Sequence, residues 1–244
     1  MSVIALLNAF CYVHAHDFTA DSNALTFSGE AAENDATTFR SQGWKTLGPG
    51  GLRSGVLNMG GFWQSASSDA VDPITWNDLA VPDRVMTFGP IETEGNPAYM
   101  WQGAHYQYQL GGAGLGELAP YSLEGHGSNS IGVVRGRLAA AMQVKAATGV
   151  LGSALQLGAV GAAQYLYATL HVLGTPGTTI TVQLQSDDNA GFTSATTRAT
   201  LGPITTAGGT WMPRVAGAIT DDYYRFNISA VTGSFTLAGA IGVQ

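Results

Sequence analysis

Two histidines spaced two residues apart are the first candidates for chemistry in this chain. On a β-strand, His14 and His16 would point to the same face, as two imidazole ligands of a metal site do. The further ligands are missing, because His16 is followed directly by Asp17-Phe18 rather than by a suitably spaced Glu or His. We interpret the pair as surface or interface residues and expect no metal and no other cofactor.

Two pairs of neighbouring carboxylates are the next candidates. Asp187-Asp188 begins a sequence similar to half of a calcium loop, but the position of the bidentate glutamate holds Arg198. Asp187, Asp188 or Asp221, with Asp222 beside it, could also serve as acid and base in a glycan hydrolase. Polar turns between strands account for both pairs more simply.

Other motifs of catalysis are also incomplete. The glycine-rich run 111–116 matches neither a dinucleotide-binding fingerprint nor a phosphate-binding loop. The single cysteine, Cys11, has no neighbouring base or cation that would activate its thiol. We therefore predict that the protein is not an enzyme.

Low charge is the dominant feature of the composition. Only 11% of the 244 residues are charged, 33 are glycine, and the formal net charge is −7. A net acidic chain without a basic stripe is not suited to tight binding of nucleic acid. A weakly charged surface loses little hydration when another chain covers it, so the composition favours self-assembly.

The elements that must position these residues are mainly strands. Alternating apolar and polar residues predict a half-buried strand over 179–186, and several similar segments with turn signals between them predict a β-sandwich or rolled barrel. The alanine-rich region 138–147 is also interpreted as strand, whereas 149–163 fits either a strand pair or a loop. Further strands are predicted at 10–18, 24–28, 52–64, 84–91, 98–110, 131–147, 153–160, 164–173, 222–231 and 235–243.

Three further features complete the predicted organisation. Asp72-Pro73 indicates a helix N-terminus, which predicts a short helix over 72–80. The apolar segment 1–20 is expected to be an N-terminal strand or docking arm rather than a signal peptide or membrane span. Since no linker divides the chain, we predict one domain over residues 1–244.

A long hairpin is predicted over residues 35–64. Two extended arms flank the glycine-rich run 48–51, which we interpret as their connection. Its apolar side chains, among them Trp44 and Trp63, are too many for one hairpin to bury. We expect another subunit to cover them.

This region resembles the major tail tube proteins of long-tailed bacteriophages. The resemblance starts in the Asp-x-Thr-Thr-Phe run at 35–39 and in Gly61-Phe62-Trp63, and it continues in order through Val71-Asp72-Pro73, Gly132 to Leu138 and Asp222 to Arg225. It implies a β-sandwich or barrel core with a flanking helix, six copies of which form a ring. Rings then stack into a tube that conducts DNA from the virion into the host.

The resemblance also implies partners and contact residues. The chain would contact itself, the tape measure protein, the tail terminator and the distal tail protein. Double-stranded DNA would pass through the lumen without tight binding, and no membrane would be involved. The protein would be made in the cytoplasm of the host bacterium and reside in the virion tail. The residues expected to contact the neighbouring ring are Arg40, Trp44, Lys45, Leu47, Leu52 and Arg53.

One alternative function remains open at the level of sequence. A capsid decoration protein or a receptor-binding or glycan-binding virion protein would share the low charge and the strand-rich pattern. The five tryptophans could stack on sugar rings in such a protein, although core or interface anchors are the more common role of tryptophan.

Overall fold

The computed structural model describes residues 6–244, and within them all side chains except those of residues 49–51. Over this range the protein is mainly β, as predicted, with a single α-helix. The strands in the first half are β1 (Phe10–Val13), β2 (His16–Asp17), β3 (Ser22–Asp35), β4 (Leu47–Phe62), β5 (Arg84–Gly89), β6 (Pro97–Leu110), β7 (Pro120–Gly127) and β8 (Val134–Lys145). Those in the second half are β9 (Gly149–Gln156), β10 (Tyr165–Leu173), β11 (Thr179–Asp187), β12 (Thr196–Ile204), β13 (Gly208–Trp211), β14 (Val215–Ala216), β15 (Tyr223–Thr232) and β16 (Phe235–Val243).

The chain divides into two compact units. The sandwich unit consists of Met1–Asp21, Asp83–Gln102 and Val133–Gln244, and the hairpin unit consists of Ser22–Pro82 and Gly103–Gly132. Strand β6 therefore begins in the first unit and ends in the second. The prediction of one domain over 1–244 stays a prediction.

Two antiparallel sheets build the sandwich unit. One has the order β13-β10-β16-β8-β6-β5-β1-β2, and the other has the order β12-β11-β15-β9. Alternation places Ile180, Val182 and Leu184 of β11 in the core, as predicted. Tyr224 and Phe226 of β15 lie in the same cluster, together with apolar residues of β10 and β16 from the facing sheet.

Strand β10 is apolar almost throughout because both of its faces are covered. Leu166 and Leu170 pack into the core between the two sheets. On the opposite face, the Thr169 hydroxyl and the His171 ring are also fully buried and contact the Thr87 hydroxyl of β5. A strand buried on both faces shows a continuous apolar run instead of alternation.

The N-terminal segment agrees in part with the predicted strand or arm over 1–20. Residues 10–13 pair with β5, and β1 and β2 form a small hairpin. Residues 1–5 lie outside the described part of the chain. The region 149–163, for which strand pair and loop were both open, contains one strand, β9, which pairs with β15.

The helix of the hairpin unit, α1 (Val71–Asn77), is shorter than the predicted 72–80. Asp72 is not the N-cap, because the helix begins one residue earlier, after Ala70. The Asp72 carboxylate instead accepts a hydrogen bond of 2.8 Å from the Tyr108 hydroxyl. The buried face is formed by Val71, Ile74 and Thr75 at helical spacing, which leaves Trp76 66% exposed.

The hairpin differs from the prediction in where its strands and turn lie. The predicted connection 48–51 is part of the 16-residue strand β4, and the turn lies at 36–46 between β3 and β4. The pairing shifts register between Ala31 and Glu33, opposite the glycine-rich run. Glycines in a strand often mark such an irregularity, so here they indicate a bulge rather than a turn.

Candidate assembly surface

A two-stranded ribbon extends from the sheet of the hairpin unit. The strand order of this unit is β3-β4-β7-β6, and residues 56–62 of β4 pair with β3 on one side and β7 on the other. Among the described pairings, residues 47–55 of β4 pair with β3 alone. We call residues 29–55 the ribbon. The ribbon contains seven residues of β3, nine of β4 and the turn, so at about 3.3 Å per residue it is more than about 20 Å long.

The turn of the ribbon has a defined structure. The Asp35 carboxylate accepts a hydrogen bond of 2.9 Å from the amide of Thr37, and the Thr37 hydroxyl accepts one of 2.9 Å from the amide of Thr46. The hydroxyl and amide of Thr37 hold the pKa of Asp35 below its ordinary value. The Asp-x-Thr sequence thus closes the turn by the side-chain hydrogen bonds that aspartate and threonine favour.

Large apolar side chains of the ribbon are exposed. Trp44 is 81% exposed and Leu52 is 80% exposed, while Leu47 is also exposed and Phe39 at the turn is fully so. A two-stranded hairpin is marginally stable alone, and four large exposed apolar side chains on one such element are more than scattered single residues account for. The ribbon is therefore suited to contact with another surface.

All six residues predicted to contact a neighbouring ring lie on the ribbon and are exposed. The three basic ones are Arg40, Lys45 and Arg53, and the Lys45 ammonium lies 3.8 Å from the Asp35 carboxylate of the same chain. Their contact with another subunit stays a prediction. Sequence reasoning missed Phe39, although an aromatic residue in a polar turn is itself a signal of exposure.

A second set of exposed apolar residues lies at the other end of the same sheet. Leu110 ends β6 and Phe62 ends β4, and both are about half exposed. Leu115 and Leu118 lie in the connection between β6 and β7, where Leu115 is fully exposed and Leu118 largely so. The glycines of this loop are conspicuous in the sequence, but the informative residues are two large leucines among small and polar residues.

The two histidines considered as metal ligands do not share a strand face. His14 lies in the turn between β1 and β2 with a φ of 53°, and its Nδ1 accepts a hydrogen bond of 3.2 Å from the amide of Gly209. The ring of His16 lies edge-on to Phe18. Across residues 6–244, no group of three or more His, Cys, Asp or Glu side chains is placed to hold a metal ion.

The carboxylates considered for catalysis are held in structural contacts. Asp187 accepts hydrogen bonds from the amides of Asn189 and Ser194, at 3.1 and 2.8 Å, and so closes a polar turn. Asp221 accepts a hydrogen bond of 2.6 Å from Ser186 and one of 2.7 Å from Arg198. The Ser186 hydroxyl and the Arg198 guanidinium lower the pKa of Asp221. Arg198, which replaces the expected calcium ligand, therefore forms an ion pair in the sandwich unit.

A buried histidine in the sandwich unit has both ring nitrogens occupied. Nδ1 of His171 lies 2.9 Å from the carbonyl oxygen of His14, which can only accept, so Nδ1 carries the proton. Nε2 then accepts from the Thr87 hydroxyl at 2.8 Å, and the Thr169 hydroxyl donates to Thr87 at 2.8 Å. Burial lowers the pKa of His171 to about 4. This neutral, fully bonded arrangement stabilises the core and leaves no lone pair for a metal ion.

Comparison with known proteins gives likenesses in structure only. No protein-family model and no curated protein matches the sequence. A chain in the virion of a native gene transfer agent particle is 20% identical over 52% of this chain and 96% of its own length, with a TM-score of 0.41. A chain in the tail of the empty gene transfer agent particle, which has C6 symmetry, is 19% identical over 45% of this chain and 79% of its own, with a TM-score of 0.36.

A third likeness spans nearly the whole chain. The Dit protein of phage SPP1, described as a hub of the adsorption apparatus, is 11% identical over 96% of this chain and 98% of its own, with a TM-score of 0.38. TM-scores below 0.5 do not establish a common fold. Within residues 6–244, no helix is both long and apolar enough to cross a membrane.

Proposed function

We propose that the protein is the subunit of a bacteriophage tail tube, in which hexameric rings stack into a conduit for DNA. The ribbon of residues 29–55 carries this proposal, because it presents Trp44, Leu47 and Leu52 to solvent on a pair of strands that has no core of its own. Contact with another subunit would bury these side chains. The ordered sequence resemblance to major tail tube proteins supports the same function.

The charge of the chain suits a conduit. The formal net charge of −7 per subunit, with only ten Lys and Arg residues in 244, gives an assembled wall that does not attract a phosphate backbone. In this role the protein is a structural component of the virion tail and has no catalytic activity. Its other partners are the tape measure protein, the tail terminator and the distal tail protein.

Electron microscopy of the purified chain tests the proposal. We expect hollow rings or tubes in negative stain, and larger species in sedimentation as the protein concentration rises. Trp44→Gln should reduce the stacking of rings, because a buried tryptophan at an interface commonly contributes about 2 kcal/mol or more to binding. Trp76→Gln is the matched control, since Trp76 is also exposed but lies on α1 outside the ribbon.

Two results would contradict the proposal. Compact monomers or trimers at every concentration would favour a capsid decoration or receptor-binding protein. If the wild type and the Trp44→Gln variant assembled equally, the ribbon would not be the surface that joins the subunits.

A further inference from the structure

We propose that the turn of the ribbon docks onto the opposite end of the hairpin unit in a second copy of this chain, so that copies join head to tail. The inference rests on the proposed function and names the surface that receives the ribbon. That surface, which we call the receiving end, consists of Phe62, Leu110 and the loop 111–119. It lies entirely in the hairpin unit, as does the ribbon.

The strand pairing places the two surfaces at opposite ends of one sheet. Strand β4 leaves the turn at Leu47 and ends at Phe62, where it pairs with Pro120. Leu110, at the end of β6, pairs with Tyr121. The loop 111–119 therefore connects strands at the end farthest from the turn, separated from it by a strand of 16 residues or about 50 Å.

Both ends expose apolar side chains that the hairpin unit itself does not cover. The turn presents Phe39 and Trp44, and the receiving end presents Leu115 and Leu118. The two ends of the receiving loop are bonded to the sheet, because the Trp63 amide donates to the Ala119 carbonyl at 2.8 Å and the Gly111 amide donates to the Pro120 carbonyl at 3.1 Å. Tryptophan and phenylalanine are enriched at the centre of protein interfaces, and the leucines of the receiving end offer apolar surface for such rings to pack against.

The distribution of charge favours contact between unlike ends. All three basic residues of the hairpin unit, Arg40, Lys45 and Arg53, lie on the ribbon, whose segment 36–55 has no Asp or Glu. The first strand of the ribbon carries Glu30, Glu33 and Asp35, so the excess of positive charge is confined to the turn and to residues 47–55 of β4, whereas residues 56–82 and 103–132 have five acidic residues and no Lys or Arg. Glu117 is exposed in the receiving loop itself. Docking turn against turn would bring Arg40 of each copy together, whereas docking turn against receiving end brings Arg40 towards Glu117.

A contact between two different surfaces forms a closed ring only when the rotation between successive copies allows closure. Here the turn and the receiving end lie at opposite ends of one sheet, so each added copy leaves a new turn free at one end and a new receiving end at the other. When the copies do not close into a ring, repeated contact of this kind produces open-ended growth. That is the geometry that stacking of rings requires.

Mixing two defective variants tests the inference. Trp44→Gln impairs the turn and leaves the receiving end intact, whereas the double variant Leu115→Ser/Leu118→Ser does the reverse. Each alone should give only the unstacked species, whether single rings or monomers, in negative stain and sedimentation. An equal mixture should give species of twice that mass, because one intact turn meets one intact receiving end. This gain also shows that both variants are folded.

The outcomes separate the inference from the proposed function. If the Leu115→Ser/Leu118→Ser variant stacks like the wild type while Trp44→Gln does not, the receiving end is wrong and the tube function stands. If mixing produces no doubled species although both variants melt at the wild-type temperature, the head-to-tail contact is also wrong. If the wild type itself never assembles, the proposed function fails and the inference fails with it.

Disulfide trapping provides a second measurement on assembled protein. Cys11 is buried and is the chain's single cysteine, so introduced thiols are the accessible ones. Under mild oxidation, Phe39→Cys mixed with Leu115→Cys should give a cross-linked dimer, at several times the yield of Phe39→Cys mixed with Trp76→Cys. Equal yields of the two dimers would overturn the proposed contact.

Discussion

The ribbon and the core of the sandwich unit use apolar side chains in opposite ways. In the sandwich unit, Phe226 and Leu184 are buried between two sheets by residues of their own chain. In the ribbon, Phe39 and Trp44 have a comparable apolar character and are exposed. The first set stabilises the fold of one copy, and under our proposal the second set stabilises contact between copies. Substitutions in the two regions should therefore affect different measurements.

A buried and an exposed phenylalanine provide the sharpest test of this difference. Phe226→Ala should lower the free energy of unfolding by about 3–5 kcal/mol, since it removes a ring that is fully buried between the sheets. Phe39→Ala should change it by less than about 0.5 kcal/mol, because the ring is exposed in the single chain. Urea unfolding, monitored by tryptophan fluorescence under conditions where the protein is dispersed, measures both. Equal losses of stability would contradict the distinction between the regions.

The buried histidine of the sandwich unit predicts a dependence of stability on pH. The ordinary pKa of histidine is 6.5, and burial lowers that of folded His171 to about 4. Between these values the unfolded chain binds a proton that the folded chain does not, so stability is lost as the pH falls from about 6.5 to about 4. The loss from this group amounts to roughly 3 kcal/mol and then stays constant at lower pH.

The matched measurement for His171 compares pH profiles. His171→Asn should be less stable than the wild type at pH 7, because it disturbs the hydrogen bonds to Thr87 and to the His14 carbonyl. The stability difference between the two proteins should shrink as the pH approaches 4, because the variant lacks this titration. Parallel profiles of unfolding free energy for the two proteins from pH 7 to pH 4 would show that His171 is not the group responsible.

The ion pair of Arg198 and Asp221 should have an intermediate effect. Asp221→Asn removes the charge that accepts from Arg198 and Ser186, and we expect a loss of about 1–2 kcal/mol at pH 7. Asp222→Asn is the neighbouring control, since it is the backbone carbonyl of Asp222 that accepts hydrogen bonds from the amides of Leu157 and Gly158. Thermal unfolding in dilute buffer measures the two variants. If both lowered the melting temperature equally, the effect would arise from net charge rather than from this pair.

Sequence patterns predicted several of the strands that have one apolar and one polar face, although β7, which also alternates, was missed. The strand over 179–186 corresponds to β11, and the predicted strand over 222–231 corresponds to β15. Strand β12 was missed because it lies at the edge of its sheet and most of its residues are exposed or half buried, so it has no apolar alternation. Alternation therefore indicates a half-buried strand and a continuous apolar run indicates a strand buried on both faces, such as β10, whereas an exposed edge strand gives neither signal.

Glycine was the residue most often misinterpreted. Gly208 and Gly209 follow Ala207 in a sequence that is typical of turns, but they begin strand β13. A Cβ added to Gly209 would lie 2.7 Å from the Cβ of Val85 and 3.2 Å from Nδ1 of His171, so close packing requires glycine there. The glycines at 48–51 were likewise taken as a turn although they lie within β4. A glycine can be required by a turn of the backbone or by the close approach of another segment. The sequence does not distinguish these two causes, but the three-dimensional neighbours of the glycine do.

The sequence predicted which residues of the ribbon are exposed, but it did not predict the second exposed set at the other end of the sheet. The exposed residues Trp44, Leu47 and Leu52 were identified because one hairpin cannot bury them all. Leu115 and Leu118 were not, because the sequence does not show that the β6–β7 loop lies at the end of the sheet opposite the turn. That placement depends on the pairing of β4 with β7, which joins segments about sixty residues apart.

The smallest expected effect on stability is at Lys45. Its ammonium lies 3.8 Å from Asp35, and both side chains are more than half exposed, so Lys45→Gln should change the free energy of unfolding by less than about 0.5 kcal/mol. Lys145→Gln is the matched control, because the chain has two lysines and this substitution makes the same change of net charge at β8.

If Lys45 also approaches carboxylates of the next copy, Lys45→Gln should slow association and reduce its dependence on salt, while Lys145→Gln should not. Light scattering at 50 and 300 mM salt distinguishes the two variants. Identical association rates of the two variants would show that Lys45 contacts only Asp35 of its own chain. Assembly would then depend on the exposed aromatic residues.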